Sequence, residues 1–140
     1  MDPLSIIASV VALSEAGRRL THLLLEVRKS LSAIDEIDAL RTDIHRLNIV
    51  LHATYSILPL LDTDCSVDCL KILEDCYKTI QVLETEMRSL EKTCRKRASK
   101  ARIQLVRMHW MSRKAKIEVN KVRLREIIPM LSVLLSVSKL

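Results

Sequence analysis

Apolar residues recur along this chain at alternating steps of four and three, the spacing that keeps side chains on one face of an α-helix. Ile6, Val10, Leu13, Gly17, Leu20, Leu24, Val27 and Leu31 form the first such seam. Ser32-Ala-Ile-Asp35 matches a capping box and predicts a second helix from about Ala33. Its seam is Ile37, Leu40, Ile44, Leu47, Leu51, Thr54 and Leu58, and Pro59 stops it. A loop over Pro59–Ser66 leads to a third helix from about Val67, with a seam at Leu70, Leu73, Tyr77, Ile80, Leu83 or Glu84, Met87, Leu90 and Cys94. After the basic run Arg95-Lys96-Arg97, a short fourth segment, Ile103–Met111, is predicted to break near Ser112. The last helix is predicted from about Ala115 towards Ser138. Its seam is Ile117, Leu124, Ile128, Leu131 and Leu135, with a polar gap at Lys121 and a kink or loosened turn at Pro129.

These segments predict an all-α protein: an elongated up-and-down bundle of four long helices plus a short one, in a single domain over residues 1–140. Extra apolar neighbours (Ile7, Val11, Leu23, Leu25, Ile49, Val50, Ile72, Ile127 and Leu134) make the seams wider than a two-stranded coiled coil needs. That favours an intramolecular bundle. One Gly, no Phe, one Trp and two Tyr in 140 residues leave too few turn and strand formers for a β or α/β fold.

The same composition argues against catalysis. One glycine cannot build a phosphate-binding loop or a dinucleotide fingerprint, and no activated-nucleophile motif is present. No enzyme activity, cofactor or metal is expected. Asp35, Glu36, Asp38 and Asp43 read as a solvated helix face. His45 and His52, and Cys65 and Cys69, lack zinc-site spacing and read as structural histidines and buried thiols. Cys69 and Cys76 fit the edge of the third helix's packed face.

Charge is distributed unevenly. Residues 1–60 carry six Lys/Arg and seven Asp/Glu, residues 61–94 four and eight, and residues 95–140 thirteen and two. The basic last third points to an anionic partner. Arg95, Lys96, Arg97, Lys100, Arg102, Arg107, Arg113, Lys114 and Lys116 form the candidate surface. Anionic lipid, nucleic acid and an acidic surface on another protein are the chemistries that fit it. Trp110 is the lone stacking platform, which disfavours nucleic acid. A solvated face, partly turned to the acidic third helix, is the alternative.

The first turns hold the other candidate. Asp2 can cap a helix whose first turn accepts Pro3, and no charge occurs from Pro3 to Ser14. Leu4, Ile6, Ile7, Val10, Val11 and Leu13 can be buried in the bundle or enter a membrane, although the run is too short to span one alone. The acidic start Met1-Asp2 differs from a signal peptide, so a soluble cytoplasmic protein with reduced thiols is expected. Ser138-Lys139-Leu140 matches a peroxisomal address, which acts only from a free, exposed end.

The opening Met-Asp-Pro-Leu-Ser-Ile-Ile-Ala-Ser-Val-Val-Ala-Leu resembles the start of the fungal domain found ahead of NACHT and other STAND modules. That family includes the N-terminal domain named after the azaphilone pigment cluster protein L and is related to the HeLo and HeLo-like cell-death domains. Trp110, followed by Lys114, Lys116 and the pair Glu118-Val119, resembles the family's Trp, Lys-rich turn and Glu-aliphatic pair. The ending Leu131-Ser-Val-Leu-Leu-Ser136 also resembles it. The resemblance spans essentially the whole chain. It implies a helical signalling or effector module in fungal recognition and incompatibility. Its partners would be other STAND-type N-terminal domains or itself as an oligomer. In related domains, oligomerisation releases the first helix onto membranes, so Leu4–Leu13 would be the effector segment. A soluble adaptor or decoy for larger receptors, without lipid contact, is the alternative.

Overall fold

The computed structural model describes the backbone of residues 3–30, 35–57, 63–95 and 100–138, and the side chains of residues 6–29, 35, 37–54, 67–93 and 107–134. Four α-helices make up the described residues: α1 (Pro3–Ser30), α2 (Asp35–Ile57), α3 (Thr63–Arg95) and α4 (Lys100–Ser138). The predicted all-α bundle is present. The caps expected from Asp2 and from Ser32 lie outside the described residues.

Two boundaries differ from those predicted. α3 begins at Thr63, within the stretch expected to be a loop. Thr63 and Asp64 suit a first turn, where polar and acidic residues meet free N–H groups, but they carry no apolar period to announce it. The predicted short segment and last helix are one helix of 39 residues, about 58 Å long. No break occurs at Ser112, whose Oγ donates to the His109 carbonyl at 2.8 Å. Buried Trp110 and Ile117 anchor α4 on either side of it. Pro129 lies inside α4 on its exposed side, held between buried Ile127 and Leu131. Packing thus offsets the hydrogen bond that the ring removes.

The seams pack as the core. On α1, Ile6, Val10, Leu13, Leu20, Leu24 and Val27 are buried, and on α2 so are Ile37, Leu40, Ile44, Leu47, Leu51 and Thr54. On α3 the seam is centred on Cys69, Leu73, Cys76, Ile80, Leu83, Met87 and Leu90, all inaccessible. Cys69 and Cys76 therefore sit within the seam and not at its edge, while Tyr77 is only half-buried. Val11, Leu25 and Ile49, read as widening the seams, are exposed. Seam members Leu31, Leu58, Cys94 and Leu135 lie outside the described side chains.

Neighbours in sequence are not all neighbours in space. α1 packs most extensively on α3, α3 on α4, and α2 lies against α1 and α4; α2 and α3 barely touch. Ala8 and Ala12 lie beside Leu73 and Tyr77, and Arg19 further along reaches Glu84, so α1 and α3 run parallel. Arg28 pairs with Asp38, and Arg113 with Glu86, so α2 opposes α1 and α4 opposes α3. Glu84 and Glu86, about 200° apart around α3, dock α1 on one flank and α4 on the other. That places α2 across the bundle.

Gly17 lets α1 and α2 approach. A Cβ there would stand 3.3 Å from Asn48 Oδ1 and 3.6 Å from Ile44 Cγ2. The Asn48 oxygen has no hydrogen bond to lose if it shifts. Gly17→Ala is therefore expected to stabilise by about 0.5 kcal/mol, most of the helix-propensity gain. Gly17→Leu is expected to destabilise by about 1–3 kcal/mol through overpacking. Urea denaturation of the two variants checks both signs.

Candidate functional site

Three carboxylates are buried against cations from other helices. Glu86 is 1% exposed and receives Arg113 at 2.9 Å and Lys116 at 3.2 Å, both from α4. Asp43 on α2 receives the Arg125 Nε of α4 at 2.8 Å. It was expected on a solvated face, but it is buried and its partner lies 82 residues away. Glu84 accepts from Arg19 of α1 at 3.1 Å and from Arg88 at 2.7 Å. Burial works against ionisation of Glu84. The hydrogen bonds and charges of Arg88 and Arg19 outweigh it and hold the carboxyl below its ordinary value. Lys121, the polar gap of the last seam, is buried and pairs with Glu118 at 3.5 Å.

These clamps dissect the basic candidate surface. Arg113 and Lys116 turn to Glu86 and hold α4 on α3, Lys114 is half-buried, and Arg107 is exposed. The side chains of Arg95, Lys96, Arg97, Lys100 and Arg102 lie outside the described residues. The family-motif residues separate as well. Trp110 is buried in the core, Glu118 is half-buried beside Lys121, and Val119 is 68% exposed.

The candidate membrane segment is the start of α1. Ile6, Val10 and Leu13 are buried and Ile7 half-buried, while Ala8, Val11 and Ala12 face outward. The Leu4 side chain lies outside the described residues. Val11 and Leu25 line an open groove between α1 and α2 of about 800 Å³, with His22 and His52 at its rim. His45 and His52, read as structural, are exposed on α2.

α4 carries a surface that the seam reading missed. Met108, Met111, Val119, Val122, Met130 and Val133 are each at least half exposed. They recur at helical spacing on the side opposite Trp110, Ile117, Leu124 and Leu131. α4 is thus apolar on two opposite faces, one facing the core and one facing outward. Its outward residues are scattered among basic ones in the sequence, and two apolar faces cancel the amphipathic signal that marks a one-sided helix.

His109 lies between α4 and α3, with Nδ1 2.8 Å from Thr93 Oγ1 and Nε2 3.2 Å from Ser89 Oγ. Thr93 Oγ1 also donates to the Ser89 carbonyl. One neutral tautomer closes this set: Nδ1–H donates to Thr93, and the Ser89 hydroxyl donates to Nε2. Burial first, and Arg113 second, lower the His109 pKa, against an opposing effect of Glu86. Burial and the neighbouring Asp75 push the Cys76 thiol up to about 12, far from a reactive thiolate. Cys69 and Cys76 are expected to resist a thiol reagent at pH 8 in the native protein and to react on unfolding. Mapping labelled cysteines with and without denaturant checks this.

Among the described residues no three His, Cys, Asp or Glu side chains form a metal-binding group, and no helix is long and apolar enough to cross a membrane. Compared with known proteins, the chain matches no family model, no curated protein and no solved structure.

Proposed function

We propose that this chain is a non-catalytic interaction and effector module of the HeLo-like kind that precedes fungal STAND receptors, directed to anionic membranes by its first helix. It partners other such domains or itself and works from the cytoplasm in cell-death or incompatibility signalling. The observation that carries the reading is the start of α1. Its core face is held by Ile6, Val10 and Leu13, and its outer face, Ala8, Val11 and Ala12, is also uncharged. A helical stretch without charge on either face, as over Pro3–Ser14, can exchange the core for lipid at little electrostatic cost. Too short to span alone, it would insert as an oligomer.

Dye release from anionic and neutral vesicles tests this, with the wild type beside Ala8→Glu/Val11→Glu. Both substituted positions are exposed, and an unchanged helical spectrum is the control that the bundle is retained. Release that needs anionic lipid and is lost in the folded variant supports the reading. A wild type that releases nothing from either vesicle overturns the membrane step. The adaptor or decoy reading, which α4's outward apolar face favours, would then stand.

A further inference from the structure

We infer that the outward face of α4 pairs with the same face of a second copy, antiparallel, about a two-fold axis between Val119 and Val122. The pairing rests on the α4 surface alone and stands or falls apart from the membrane step above. A two-fold interface requires one patch to be complementary to itself. The outward positions of α4 meet that requirement, because their steps of three, four, four, three, four, four and three read the same in both directions. Turned end for end, Met108 comes opposite Val133 and Met111 opposite Met130. Val119 comes opposite Val122, and Ala115 opposite Glu126. Apolar residues meet apolar residues in three of these four layers, each formed twice, in the manner of an antiparallel coiled coil.

The fourth layer decides the occupant. Glu126 is exposed within the stripe. Against a lipid surface it would be pressed into the apolar boundary, where a carboxylate is costly. Opposite Ala115 of another copy it has a small neighbour and room to reach the rim. A stripe about 38 Å long and about 10 Å wide offers on the order of 400 Å² per copy. That is below the roughly 800 Å² per partner of a standard stable interface. The dimer is therefore expected to form and dissociate with concentration.

Sedimentation equilibrium of the full chain without lipid, from micromolar to millimolar concentration, tests the proposal. The wild type should show a monomer–dimer equilibrium. Val119→Glu/Val122→Glu should weaken it by about tenfold or more, with an unchanged helical spectrum. Ala115 distinguishes the register, because antiparallel pairing places it against Glu126. Ala115→Arg should tighten the dimer about threefold and Ala115→Glu loosen it by a similar factor. A wild type that stays monomeric throughout overturns the inference, as does a dimer indifferent to the valine pair. Ala115 variants that shift the equilibrium in the same direction overturn the antiparallel register. A monomer that instead binds anionic vesicles through Val119 and Val122 makes lipid the occupant and also overturns it.

Discussion

Leu20→Ala is expected to lower the unfolding free energy by about 3–5 kcal/mol, read from the urea midpoint at constant slope. Leu20 is fully buried midway along α1, between the turns that line α3 and those that pair with α2. Removing its branched end forfeits the transfer energy of the lost atoms and leaves a cavity that long, mutually braced helices close poorly. Val11→Ala, on the outward side of the same helix, removes similar chemistry from a residue that is 51% exposed, and should change stability by less than about 0.5 kcal/mol. The contrast between the two variants reads the packed face of α1 directly. Equal losses would mean that α1 is covered on both sides.

Removing both cations from Glu86 is expected to be nearly as damaging. In Arg113→Ala/Lys116→Ala the carboxylate, 1% exposed in the native chain, loses both cations that face it. A bare buried charge costs about 3–5 kcal/mol. The opposite deletion is milder. In Glu86→Leu the side chains of Arg113 and Lys116, 41% and 61% exposed, can turn to water. The carbon skeleton of Leu still fills the space at α3. A cost below about 2 kcal/mol is expected for Glu86→Leu, so the order of the two variants tests whether the clamp is buried from the α3 side. Thermal unfolding at neutral pH checks it. If Glu86→Leu proves the more damaging, the cations and not the carboxylate are the sequestered partners.

The helical class and nearly every core position were legible because burial in a bundle follows a period that one chain displays by itself. Ile6 to Val27 and Ile37 to Thr54 pack as their spacing predicts. What escaped depends on partners distant in sequence or on signals that cancel. Asp43 looks like one more surface carboxylate until Arg125, from another helix, arrives. Arg113 and Lys116 belong to a basic run in sequence but turn to α3 in space. The expected break at Ser112 followed polar residues in a stretch without Gly or Pro, and polarity alone does not stop a helix anchored on both sides. The outward stripe of α4 was hidden because its Met and Val residues oppose a second apolar face.

The parallel contact of α1 with α3 also sets an order in time. Arg19 and Glu84 are 65 residues apart, and α2 lies between them in the chain. On a ribosome adding about 5–20 residues per second, α1 is finished several seconds before α3. Until then it can fold back only on α2, its lesser neighbour. A helix with an apolar core face and uncharged first turns is thus displayed on the nascent chain before its main cover exists. In those seconds, nascent-chain chaperones and nearby membranes compete with α3 for the same apolar face.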